Sequence, residues 1–244
     1  MQQYQYRHSG YRVGNTISRI PDPVVEDDDS DYEDLSTYEI VDTETNFTID
    51  GTKLTVTDII PDHTTAYLYY DFGEGYFDTD IEIQFDLKVT AFAVAYDYMG
   101  VIGLSNDLGT IATVGYGPLV ELNYQEDEEA VYYEVGAGHE DYAAPTHAHN
   151  THVVGTQYYY TFTTTYAASN KSSVSLATYT DAARTTLVKN SGNVTVNPYG
   201  TGNITEEHGS QTFRYLVVAP SFRAATDTEG KFSFVIDHIK IVSH

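Results

Sequence analysis

The sequence contains no cysteine and no tryptophan, and only 12 of its 244 residues are lysine or arginine. Without cysteine there are neither disulfides nor thiolate metal sites, and the redox compartment stays open. Without tryptophan, a sugar cleft would have to be lined by other rings. Against the 12 basic residues stand 36 acidic ones, a net charge of −24. That balance repels nucleic acid and anionic membranes, which bind positive surfaces, so neither is expected as a partner. No run of 18 apolar residues occurs, so no helical membrane span is expected. Residues 1–20 lack an apolar h-region, and a secretory signal is not expected there. A Gly-x-Gly-x-x-Gly element, a P-loop and a nucleophile elbow are all missing, which leaves nucleotide chemistry and serine hydrolysis unsupported. No repeat of 20–50 residues is visible, which argues against propellers and solenoids.

What the chain does have is tyrosine, 23 of them beside 10 phenylalanines. Tyr packs on a pleated surface and still offers a hydroxyl, so it suits strands. Residues 80–89 alternate cleanly: Ile81, Ile83, Phe85, Leu87 and Val89 fall on one face, and Asp80, Glu82, Gln84, Asp86 and Lys88 on the other. A half-buried antiparallel strand has this pattern. Residues 47–56 form two short runs across Asp50-Gly51, a hairpin signal. Further strands are expected over 65–70, 92–104, 111–114, 119–124, 131–135 and 213–219, while 136–152 looks like a loop. Residues 158–189 read strand, turn, strand, turn, strand, a wall with no candidate reactive group. In residues 232–242 apolar side chains fall on both faces, which predicts a strand central to a sandwich. No helix is expected.

Residues 1–45 differ. The first twenty carry Arg7, Arg12 and Arg19 and no acid, whereas residues 21–45 carry eleven acids and no basic residue. Pro21 and Pro23 discourage a helix. The expectation is an extended charged arm over 1–45 ahead of a single all-β domain over 46–244. Tyr4, Tyr6 and Tyr11 would anchor the tip while Arg7, Arg12 and Arg19 pair with acids of a neighbouring subunit.

The pieces 158–166, 174–181 continuing to Leu187-Val188, and 232–242 with its closing Ile236-Asp-His-Ile-Lys-Ile241 resemble the concanavalin A-like lectin/glucanase jelly roll, also called the laminin-G-like sandwich. Residues 47–56 would be its opening strand pair. The resemblance implies an all-β, two-sheet antiparallel jelly-roll sandwich. Because such folds serve lectins, glycosidases, adhesion modules and virion surface proteins, fold alone does not choose among them.

Candidate chemistry is sparse. A retaining glycosidase needs two carboxylates about 5–5.5 Å apart. Glu82 and Asp86 have a suitable strand spacing, but the glucanase branch's Glu-x-Asp-x-x-Glu motif is missing. Tyr67, Tyr69, Tyr70, Tyr96 and Tyr98 offer rings on which sugars stack. His147, His149 and His152 include a His-x-His pair with the ligand geometry of an extended metal site. The Asp/Gly-rich turn 71–80 is a candidate calcium site without EF-hand spacing; otherwise no cofactor is expected. The sequons at Asn46, Asn170, Asn193 and Asn203 matter only where a glycosylation system is met. The reading is a non-enzymatic structural subunit at a virion surface, a homo-oligomeric decoration or fibre protein of a phage or archaeal virus. Its arm would hold sister subunits and other virion proteins. The alternative is an extracellular, carbohydrate-binding adhesion module, and a glycoside hydrolase comes third.

Overall fold

A computed structural model describes residues 31–61, 64–93, 98–111, 114, 117–123, 132–139, 148–167, 171–190, 194–196, 212–221 and 230–243. Among these described residues fifteen strands build two antiparallel sheets. In chain order they are β1 (Glu39–Asp42), β2 (Phe47–Asp50), β3 (Lys53–Ile59), β4 (Ala66–Asp71), β5 (Ile81–Ala93), β6 (Tyr98–Ser105), β7 (Pro118–Asn123), β8 (Tyr132–His139), β9 (Ala148–Val153), β10 (Tyr158–Ala167), β11 (Lys171–Tyr179), β12 (Leu187–Asn190), β13 (Val194–Val196), β14 (Tyr215–Val218) and β15 (Lys231–Ser243). One sheet runs β1-β4-β14-β6-β7-β8-β9 and the other β12-β11-β10-β5-β15-β3-β2, with β13 on the edge of β11. Among the described residues no helix is long and apolar enough to cross a membrane.

The alternation in β5 produces what its pattern predicts. Ile81, Ile83, Phe85, Leu87 and Val89 are all at most 1% exposed and face the space between the sheets. β10 answers them with Tyr158, Tyr160 and Phe162, and the Phe85 and Tyr160 rings stack at 5.0 Å and 8°. Leu68, Ile102, Leu104, Leu216 and Val218 supply the opposite wall. The hairpin at Asp50-Gly51 forms as expected, with Gly51 in the left-handed region at φ 59°.

β15 is central, between β5 and β3, but its two apolar faces have a different origin from the one expected. Its pairing with β5 shifts between Asp237 and Lys240, and His238 there has φ 51°. This bulge changes the phase of the strand. Phe232, Phe234 and Ile236 point inward before it, Ile239 points inward after it, and all four are buried. His238 is thrown onto the outer face.

Other boundaries differ from expectation. β1 lies within residues 1–45, so residues 31–42 are built into the body instead of extending from it. The apolar run 92–104 belongs to two strands, β5 and β6, and residues 136–152 contribute the end of β8 and all but one residue of β9. Ile111 and Val114 sit in no strand; they pack on the outer face of the seven-stranded sheet over Leu119, Val217 and Tyr67.

Candidate functional site

Two polar constellations stand on the outer faces of the sandwich, one per sheet. On the eight-stranded sheet, Asp86 is only 6% exposed although it lies on the polar side of β5. It is covered from two directions. His238 Nδ1 lies 2.9 Å from Oδ2, and Arg184 Nη2 donates to Oδ1 at 3.1 Å. Arg184 also donates from Nε to Tyr160 O at 3.2 Å, from Nη1 to Ala182 O at 3.2 Å and from Nη2 to Phe85 O at 3.4 Å. Burial raises the Asp86 pKa, and the His238 hydrogen bond and Arg184 charge only partly offset it.

Both covering residues occupy the left-handed region, Arg184 at φ 53° and His238 at φ 51°. For residues with a Cβ this is costly, and it persists where surrounding contacts over-determine it. Arg184 is held by the 180–186 loop. Asp181 accepts the Thr185 N–H at 3.1 Å and the Thr186 N–H at 2.7 Å, bonds that hold its carboxyl down at about 2. The Arg184 N–H closes the turn onto Asp181 O at 3.0 Å. With its guanidinium committed to three carbonyls and a carboxylate, Arg184 braces the loop to the sheet. The stretch 158–189, read as a wall without a reactive group, therefore carries the one cation that compensates Asp86 from a loop.

Residues 31–38 strap across this centre. Lys240 Nζ donates to Asp31 Oδ2 at 2.8 Å, the Tyr32 ring packs on His238 at 4.7 Å, and the Glu33 N–H donates to Ile239 O at 2.7 Å. Leu35 is fully buried, and Tyr38 is 5% exposed with its hydroxyl 3.2 Å from Glu33 Oε2. Burial raises the Glu33 pKa.

The seven-stranded sheet presents the second constellation, an aromatic platform. Alternation along β4 turns Tyr67 and Tyr69 outward, and β14 adds Tyr215. The Tyr69 ring lies 6.0 Å from Tyr67 and meets Tyr215 edge-on at 5.9 Å. Tyr69 and Tyr215 are half-buried, whereas Tyr67 is 9% exposed. Hydrogen-bonding groups border the rings. Tyr69 Oη donates to Glu39 Oε2 at 2.8 Å, which raises the phenol pKa. Arg214 lies 5.0 Å over the Tyr215 ring and grips Asp71 with two N–H groups, one at 2.7 Å. That bidentate grip lowers the Asp71 pKa and raises that of Arg214. Planar aromatic surface bordered by fixed donors and acceptors suits a ligand with both apolar and hydroxylated faces, a sugar ring above all.

The residues singled out in the sequence fare unequally. Of the sugar-stacking tyrosines, Tyr67 and Tyr69 reach the platform, Tyr67 only 9% exposed and Tyr69 half-buried. Tyr70 instead joins Tyr38 and Phe72 in a ring cluster at the core's margin, and the Tyr96 and Tyr98 side chains lie outside the described residues. Tyr215 and Arg214 were missed, because the run 213–219, expected only as a strand, does not announce which of its faces stays wet. Glu82 and Asp86 do not form a free carboxylate pair: Glu82 accepts Gln84 Nε2 at 3.1 Å, and Asp86 is held by Arg184 and His238. His147 and the His149 side chain lie outside the described residues. His152 is 1% exposed and packs on Tyr158 at 4.3 Å and Tyr160 at 5.8 Å. No cluster of three metal-ligating side chains occurs among the described residues. In the candidate calcium turn, Asp71 is already taken by Arg214 and by the Gly73 N–H. The arm residues Tyr4, Tyr6, Arg7, Tyr11, Arg12 and Arg19 lie outside the described residues.

No protein-family model and no curated protein matches the chain. Among solved structures it is similar to the alginate lyase Aly36B in complex with alginate trisaccharide (TM-score 0.53, 12% identity, 86% of this chain and 90% of that one). It is also similar to the alginate lyase PA1167 of Pseudomonas aeruginosa (TM-score 0.51, 10% identity, 87% and 100%). The Ca2+/Man3GlcNAc-bound VIP36 exoplasmic/lumenal domain matches with TM-score 0.47 and 11% identity, over 87% and 89%. The expectation that the chain is no enzyme is corrected here, since several structures of like shape are lyases. At these identities the likeness concerns architecture. It agrees with the two antiparallel sheets, the closing β15 and the opening hairpin β2–β3, and the fold is that of a two-sheet antiparallel jelly roll.

Proposed function

We propose that the protein is a carbohydrate-recognising jelly roll that holds saccharide on the tyrosine platform of its seven-stranded sheet. The observation that carries this reading is the half-exposed Tyr69–Tyr215 pair bordered by Glu39 and by the Arg214–Asp71 fork. The alginate lyases that share the fold act on a polymer of carboxylated sugars, but the charges at this platform disfavour such a ligand. Glu39, Asp71 and Glu74 outnumber Arg214 there, and the chain as a whole carries −24. The matching ligand is a neutral or amine-bearing saccharide.

A titration against N-acetylglucosamine, glucosamine and mannuronate oligomers, with and without calcium, tests the reading. Tyr69→Ala and Tyr215→Ala should each weaken binding at least tenfold, about 1.4 kcal/mol, without altering the fold. Oligomers incubated with the protein should be assayed for chain cleavage in the same experiment. Binding that ignores both tyrosines would overturn the assignment.

A second reading concerns the N-terminal segment. The ties of residues 31–38 to Lys240, His238, Ile239 and Gly51 support it, because whatever precedes Asp31 is rooted on the sandwich. In this reading Tyr4, Tyr6, Arg7, Tyr11, Arg12 and Arg19 form an assembly arm that engages sister subunits, as a virion surface protein would. Deleting residues 1–24 should lower the oligomer mass measured by light scattering, and an unchanged mass removes the arm from assembly.

A further inference from the structure

The platform occupies only one side of its sheet, and the register shows what stops it. One outward row crosses the strands through Glu39, Tyr69, Val217, Gly103 and Leu119. It is open at Tyr69, but Val217 is fully buried and Leu119 is 1% exposed. The cover is the connection between β6 and β7, whose Leu108, Ile111 and Val114 pack on Val217, Leu119 and Tyr67.

This cover is held at Asn106, Ile111 and Gly117. Asn106 Nδ2 donates to Thr212 O at 2.7 Å, the Ile111 N–H to Ser221 O at 2.9 Å, and the Gly117 N–H to Leu104 O at 2.8 Å. Gly117 sits so close to the sandwich that a Cβ there would lie 2.3 Å from the Phe213 ring. An apolar cluster fixed through main-chain bonds does not slide aside for a hydrophilic polymer, since uncovering it exposes Val217 and Leu119 to water.

We propose that the β6–β7 connection makes the platform an end-binding subsite, which takes one or two terminal sugar units and rejects a polysaccharide that continues across the sheet. Only the part of β1, β4 and β14 around Glu39, Tyr69 and Tyr215 is uncovered, and with neighbouring strands ~4.8 Å apart it spans about 10 Å from β1 to β14. An opening that narrow takes only a short terminal stretch of a saccharide. A longer chain meets Leu108 and Ile111 where they cover Val217 of β14.

This inference rests on the saccharide reading above, and the two fail differently. Affinities would be measured by calorimetry for N-acetylglucosamine and glucosamine oligomers of about one to six units, using the full chain and Tyr69→Ala. The expected result is affinity that stops rising at the dimer, stays within about threefold up to the hexamer, and is lost in Tyr69→Ala. Affinity that climbs tenfold or more from dimer to hexamer and still depends on Tyr69 overturns end-binding and leaves saccharide recognition standing. Absence of Tyr69-dependent binding at every length overturns both.

Discussion

Replacing Arg184 by alanine should destabilise the fold by about 3–5 kcal/mol at neutral pH, the usual cost of leaving one partner of a buried ion pair behind. Asp86 is 6% exposed and would keep only His238 within reach. The bonds to Tyr160 O, Phe85 O and Ala182 O would vanish as well. Much of this cost is the uncompensated charge, so Arg184→Ala combined with Asp86→Ala should lose less than the two single variants summed. The pH dependence has a definite sign. Burial already raises the folded pKa of Asp86 above its ordinary value, so the folded state takes up that proton at higher pH than the unfolded chain does. Stability attributable to Asp86 therefore increases as pH falls through the folded pKa toward the unfolded one. Removing Arg184 widens that interval, and the deficit of Arg184→Ala should shrink on acidification. Urea unfolding at several pH values measures it. A deficit below about 1 kcal/mol at pH 7 would show that Asp86 is solvated once the arginine is gone.

Phe85→Ala should cost a similar amount, about 3–5 kcal/mol, for a different reason. Its ring is fully buried, stacks on Tyr160 and lies in the middle of β5, which bridges β10 and β15. Truncation leaves a cavity between two sheets that cannot close independently of each other. This deficit has no electrostatic origin and should be the same at pH 5 and pH 8. The urea midpoint should fall with an unchanged slope. A pH-dependent deficit would mean that the cavity disturbs the Asp86 cluster on the other side of the same strand.

These two residues differ in how legible they were. Phe85 sits in the cleanest alternation of the chain, and a period of two names its face without help from any other strand. Asp86 was visible as a carboxylate on the wet side of that strand. Nothing local showed that its neighbours would be a histidine about 150 positions later and an arginine nearly 100 positions later. Arg184 occupies a polar turn where arginine is ordinarily solvated, and the signal that it turns back is the Asp181 cap, recognisable only once the loop is closed. β15 teaches the same lesson: apolar residues on both faces fit a central strand, and the structure agrees, but the pattern also encodes a bulge that no alternation count reveals. For the platform, Tyr69 could be named from sequence among several rings. Tyr215 could not, because its exposure depends on where the β6–β7 connection stops.

The sequence by itself determined the all-β class, the hairpin at Asp50-Gly51, the buried face of β5 and the three-strand run 158–189, since these rest on periodicity and turn chemistry that act over a few residues. Tertiary structure alone decided that Asp86 is buried, that His238 and Arg184 converge on it, and that Leu108, Ile111 and Val114 seal part of one outer face while Tyr69 and Tyr215 on the same face stay open. Those outcomes depend on register between strands distant in sequence and on which loops fold back. Water exclusion at such places is set by the whole assembly, and no single segment carries it.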